Sequence, residues 1–136
     1  MDLRICSDVN DMPRPIAFYA DGLGLQTGRR LHDDWVEIVG AGSPIDLSLN
    51  AADTQPVKGN GAVRSYQRHW TPVHLDLVVD DIDAAVTRLL AHGATVEALV
   101  AERPYGRIAG LVDPFGRGLY LLEFKGRGYD AMLQPA

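Results

Sequence analysis

Apolar residues recur at helical spacing in one stretch near the middle of the chain. Ile82, Ala85, Val86, Leu89 and Leu90 fall at i, i+3, i+4, i+7 and i+8, and so share one helical face. Asp81 stands where an N-cap side chain accepts from free N–H groups. Gly93 stands where a chain leaves a helix through a left-handed residue. The run just before alternates. Leu75, Leu77 and Val79 make an apolar face, and His74, Asp76 and Val78 a mixed one. This pattern predicts a strand over 74–79 that runs into a capped helix over 81–92.

A second copy of the pattern lies near the start. Leu3, Ile5 and Val9 alternate with Arg4, Cys6 and Asp8, and Asp11 takes the cap position. Ile16, Tyr19, Ala20 and Leu23 follow at helical spacing, with Gly22 and Gly24 closing the turn. Pro13 and Pro15 fit only the first helical turn, where a missing N–H costs little. The helix is expected over 12–22. Setting Asp11 on Asp81 sets Arg4 on His74 and Val9 on Val79, which reads as an internal duplication. Three short strands are expected after each helix: near 25–31, 35–40 and 44–50, then near 95–101, 107–112 and 118–124. The order is β-α-β-β-β twice. Module one is expected over about 1–52, a polar Gly/Pro-containing linker over about 53–72, module two over about 73–125 and a tail over 126–136, in a single domain.

Composition narrows the function. The 136 residues are 46% hydrophobic and 23% charged, enough for one real core. No apolar run approaches the ~18 residues of a membrane span, and MDLRICSDVN lacks the pattern of a secretory leader. One cysteine excludes an intrachain disulfide framework and a Cys-rich zinc site. A net charge of -5, with Lys58 and Lys125 the only lysines, argues against generic nucleic-acid binding. A cytoplasmic protein with no membrane or nucleic-acid partner is expected. A small-molecule site or an interaction module remains.

Three motifs carry a resemblance. The run Phe18-Tyr19-Ala20-Asp21-Gly22-Leu23-Gly24-Leu25, the strand from His74 to Asp81, and the turn Asp113-Pro114-Phe115-Gly116 resemble the vicinal oxygen chelate superfamily. That is the group of glyoxalases, bleomycin-resistance proteins and extradiol dioxygenases. The resemblance covers residues 3–124. It implies an α+β fold in which two tandem βαβββ modules form a curled mixed sheet around a cleft, helices outside. It also implies a homodimer. The motifs speak for the fold and not for one activity.

On that fold the apolar face of each strand should meet the helices and the mixed face the cleft. A simple solvated face of an open sheet is the plainer alternative. With Ile45, Leu47 and Leu49 inward, the cleft side receives Asp46, Ser48 and Asn50, together with Arg4, Asp8, His74 and Asp76. Trp35 heads a strand with Glu37 and Val39 on its face, as cleft wall or as core. Cys6 has cleft parity, but a lone cysteine is usually a small buried hydrophobe. The segment Arg103-Pro104-Tyr105-Gly106-Arg107 is a cleft rim or a surface turn. In metal-using relatives the acidic ligand follows the Asp-Pro-x-Gly aspartate by seven positions, which here is Tyr120. Glu123 has the opposite parity unless a bulge at Gly118 shifts the register. The resemblance thus implies metal positions at Arg4, Asp46, His74 and Tyr120. Arg4 has only donors and stays positive, and a phenol with pKa ~10 is a poor ligand.

The expected ligand-binding residues are therefore Arg4, Trp35, Asp46, Ser48, His74, Asp76 and Tyr120. The expectation is a protein that binds a small organic molecule without a complete metal site and without a cofactor. The alternative is an enzyme. It would be a metal-dependent lyase, isomerase or extradiol-type dioxygenase holding one divalent ion (Zn, Ni, Mn or Fe) with His74, Asp46 and Glu123 as candidate ligands. Or it would be a metal-free catalyst using His74 and Tyr120 as acid and base, with Arg4 on an anionic oxygen. On the metal-free reading Arg4 and Asp46 should pair in the space of the ion.

Overall fold

The computed structural model describes residues 1–135, in two compact units, Met1–Gln67 and the described residues from Arg68 onward. Each unit is one βαβββ module with its own four-stranded mixed sheet. Unit 1 holds β1 (Ile5–Val9), α1 (Pro13–Ile16), β2 (Gln26–Arg30), β3 (Trp35–Val39) and β4 (Ile45–Leu49). Unit 2 holds β5 (Leu75–Val78), α2 (Ile82–Ala91), β6 (Thr95–Arg103), β7 (Gly106–Val112) and β8 (Gly118–Phe124). The strand orders are β1-β4-β3-β2 and β5-β8-β7-β6, so the repeat seen in the sequence is also a repeat of topology. In each sheet the first strand runs parallel to the last, and the other pairs are antiparallel.

Alternation decides what each sheet buries. In unit 1 Val9, Phe18, Val36, Ile38, Ile45 and Leu47 are at most 1% exposed and form the core. In unit 2 Leu111, Leu119 and Leu121 are buried, as are Ile82, Ala85 and Leu89 of α2, the helix that packs on β7 and β8. The tail forms a short 3-10 turn, Gly128–Met132, whose Tyr129 ring packs edge-on against Tyr105 and Phe124. No helix among the described residues is long and apolar enough to cross a membrane.

The two helices differ. Asp81 is extended and its side chain accepts from Ala84 N at 3.0 Å, a true N-cap; Gly93 leaves with φ 98°. Asp11, expected as the matching cap, does not cap. The position before the helix is Met12, already in helical geometry, and Asp11 instead accepts from Arg14 Nε at 2.8 Å. Only one turn is α-helical. Ala17–Gly22 widens into a π-helical stretch, and the turn after it passes through Gly24 with φ 71°. Cys6, expected to be buried, is exposed. The Pro104-Tyr105 turn makes the β6–β7 hairpin, and Gly106 follows with φ 142°. A Cβ on Gly106 would sit 1.9 Å from the Glu123 carbonyl oxygen, so only glycine fits. The Asp113-Pro114-Phe115-Gly116 turn is tied by Asp113 Oδ1, which accepts from Phe115 N and Arg117 N at 2.8 and 2.9 Å.

Candidate functional site

The mixed face of unit 1 carries a compact charge network. Strand register sets Asp46 beside Glu37 on β3 and beside Cys6 on β1. Arg4, just ahead of β1, reaches back over this row. Its Nε donates to Asp46 Oδ2 at 3.0 Å and its Nη2 to Asp46 Oδ1 at 2.8 Å, a two-pronged grip. The same Nη2 donates to Glu37 Oε1 at 2.5 Å. Arg29 on β2 closes the network, donating from Nη2 to Oε1 at 2.8 Å and from Nε to Oε2 at 3.1 Å. Both carboxylates are buried, while the Arg4 side chain is about half-exposed and that of Arg29 more so. Arg29, and after it Arg4, hold the Glu37 carboxyl far below the usual carboxylate range. The bonds to Asp46 and Glu37 push the Arg4 guanidinium still higher, so both groups stay charged. A Cβ at Gly28 would lie 2.9 Å from Glu37 Oε2; glycine there makes the room for the carboxylate.

The same face continues toward the ends of β1 and β4. Asn50 Nδ2 donates to Asp8 Oδ1 and Ser48 Oγ, and Arg64 from the following segment donates to Asp8 Oδ2 at 2.7 Å. Trp35 pairs with Ser48 and is 39% exposed, so it is not core.

In unit 2 the mixed face is more aromatic. Asp76 pairs in register with Tyr120, and His74 Nδ1 donates to Asp76 Oδ1 at 2.8 Å. That bond fixes the ring and leaves Nε2 unengaged by Asp76. The His74 and Tyr120 rings meet edge-to-face at 4.8 Å. They line a recess of about 60 Å³ with Trp70, Thr71 and Arg68. Arg68 is braced by Glu97, with Nε–Oε1 2.6 Å and Nη2–Oε2 3.0 Å, and lies against Gly118.

Glu123 lies on the other face. The register of β8 is continuous against both neighbours, with no bulge at Gly118. Glu123 Oε2 accepts from Ile82 N at the start of α2 and from Arg107 Nη2, both at 2.8 Å, and Oε1 accepts from Arg107 Nε. Arg107 first, then this N–H, lower its pKa. As a candidate metal ligand Glu123 is therefore corrected: its carboxylate is committed to capping α2, on the face opposite His74 and Tyr120.

A family model described as a glyoxalase-like domain matches residues 4–122. The chain belongs to the glyoxalase-like family. With it goes the vicinal oxygen chelate superfamily, as the motifs implied. The anthracycline biosynthesis protein DnrV of Streptomyces peucetius is similar, at 37% identity over 121 residues, covering 71% of this chain and 42% of that protein. The chain thus spans less than half the length of that curated relative. Two solved structures share the fold. One is a glyoxalase/bleomycin resistance protein/dioxygenase family enzyme from Burkholderia phytofirmans PsJN (TM-score 0.67, 20% identity, 92% of this chain and 100% of that one). The other is a glyoxalase-related enzyme from Fulvimarina pelagi (TM-score 0.68, 16% identity, 90% and 88%).

The donor chemistry of this glyoxalase-like chain can be set against the metal such folds imply. At position 4 stands a guanidinium, which has no lone pair to give. Both oxygens of Asp46 already accept from it. These two positions do not fit a divalent ion; they satisfy each other instead. In unit 2 one imidazole and one phenol are left. Glu37 and Arg29 were not among the expected site residues. The available signal was strand parity, which already set Glu37 on the face of Trp35. Arg68 and Trp70 fall in what reads as linker, and no pattern in the sequence singles them out.

Proposed function

We propose that this glyoxalase-like protein binds a small organic molecule and works without a complete metal site. The observation that carries this is the grip of Arg4 on both oxygens of Asp46. A divalent ion there would have to displace a guanidinium and then lie beside its charge. The mixed faces supply other means of recognition: fixed guanidinium donors in unit 1, and an aromatic recess with His74 and Tyr120 in unit 2. A planar aromatic ligand suits the aromatic recess of unit 2. The relative's name points to anthracyclines as the first probe. We infer also a cytoplasmic homodimer with no nucleic-acid partner: the pairing is by analogy with the family resemblance, and a net charge of -5 disfavours a phosphate backbone.

The test is equilibrium binding of an anthracycline to the chelator-treated protein, followed by fluorescence, with elemental analysis of the same sample. Binding with metal well below one ion per chain is the expected result. Binding that appears only after zinc, nickel, manganese or iron is restored would overturn the proposal.

One observation favours a second role, acid–base catalysis. Asp76 holds the His74 ring through Nδ1, with the Tyr120 ring adjacent, the arrangement of an oriented base beside a proton donor. If this is an enzyme, His74→Gln and Tyr120→Phe should each lower turnover by about 10²-fold or more.

A further inference from the structure

The donors left over in the unit 1 network have a use. Glu37 Oε1 accepts from Nη2 of both Arg4 and Arg29, so two guanidinium groups converge on one oxygen. Their repulsion is offset by the two buried carboxylates, Glu37 and Asp46. Arg4 is held by three bonds through Nε and Nη2, and its Nη1 makes no hydrogen bond among the described residues. Arg29 is held at Nε and Nη2 in the same way. Arg4 therefore keeps only the N–H groups of Nη1 for a ligand, since both hydrogens of its Nη2 are used, while Arg29 keeps Nη1 and one hydrogen of Nη2; both side chains are exposed enough to be reached. A guanidinium fixed through Nε and Nη2 has already lost its rotamer freedom, so a ligand oxygen at the remaining N–H groups meets preorganised donors. Trp35 lies two residues from Glu37 along β3, on the same face, ~7 Å away by strand rise, and is part-exposed.

We propose that unit 1 is a carboxylate-binding site in which the remaining N–H groups of Arg4 and Arg29 hold the carboxylate oxygens and Trp35 packs on the body of the ligand. The ligand class is an aromatic carboxylate. This rests on metal-free binding, and it names what takes the place of metal coordination: paired N–H donors recognising an oxyanion. The network is neutral as a whole, with two positive and two negative groups. Selection is therefore for geometry, two oxygens in one plane, over bulk negative charge. Gly28 belongs to the device because its missing Cβ lets Glu37 lie between the two arginines.

The test uses the full chain, chelator-treated and labelled with ¹⁵N. Benzoate, acetate and benzamide are titrated while the arginine Nε–H and Trp35 indole signals are followed. Benzoate should give saturable shifts at Arg4, Arg29 and Trp35 with millimolar or tighter affinity, about 3- to 10-fold tighter than acetate, and benzamide none. Arg29→Gln should weaken benzoate about 5-fold or more with the backbone spectrum otherwise unchanged. Trp35→Ala should erase the advantage of benzoate over acetate. Arg4→Lys keeps the charge but loses the fork, and should lose binding even though it folds. No saturable benzoate shift at these three residues, or equal binding of benzamide, overturns the proposal. Metal-free anthracycline binding without benzoate binding would end this inference and leave the function proposed above. Benzoate binding alongside metal-dependent anthracycline binding would do the reverse.

Discussion

Glu37 accepts four hydrogen bonds, from Arg4 Nη2, from Arg29 Nη2 and Nε, and from the Arg29 backbone N–H. Such a carboxylate is stabilised in its charged form only in the folded chain. Unfolded, it takes up a proton near the ordinary value of 4.5. Its native value is depressed, so its contribution is complete above about pH 5 and is lost as pH falls through 4.5 toward the native value. Glu37→Gln should therefore lower the melting temperature by about 5 °C at neutral pH. The gap should narrow steadily between about pH 5 and pH 3, as thermal melts across that range would record. A constant gap would deny Glu37 its role. At this scale the sequence is legible in part. Parity puts Asp46, Glu37 and Trp35 on mixed faces, because the strand period is two. That Arg29 and Glu37 join the expected Arg4–Asp46 pair is set by strand register, and by a glycine whose value lies in an absent atom.

The elements follow local chemistry where it is strong. α2 was legible from end to end because its stripe, cap and exit glycine all lie within a dozen residues. Asp81→Ala should cost about 1 kcal/mol, the usual value of a lost N-cap, read from chemical denaturation. Gly106→Ala should cost far more, about 3 kcal/mol or above, since a Cβ there would meet the Glu123 carbonyl oxygen and force β7 from β8. Gly42→Ala, with nothing within 4 Å and no positive φ, should be near neutral and serves as the control. The first helix was legible only as a helix. Its π-helical stretch and missing cap turn on a one-residue offset at Met12 that no periodicity reports. Glu123 teaches the same point in reverse. Its parity correctly set it apart from Tyr120, but its partners, Ile82 N and Arg107, come from elements 41 and 16 residues away.

At the scale of the molecule, one module plan is used twice and furnished differently. The mixed face of unit 1 is a ladder of charges; that of unit 2 is a histidine and tyrosine recess beside Trp70. If the charge ladder stands where a family metal ligand set would begin, changing one residue should tip it back. Arg4→His would free Asp46 and set an imidazole near two carboxylates, so this variant should gain zinc or nickel affinity, to about micromolar. The unaltered protein should show none by calorimetry in the same buffer. Equal metal binding by both would remove the reason for assigning Arg4 the place of an ion. The sequence by itself determined the duplicated β-α-β-β-β order, the family, the faces of the strands and the second helix. Each of these is carried by a period or a motif within a short stretch of chain. Only the tertiary structure decided that Arg4 and Arg29 share Glu37, that Glu123 caps α2, and that Arg68 and Trp70 line a recess. Those are contacts between residues distant in the chain, fixed by strand register and by the space that glycines leave open.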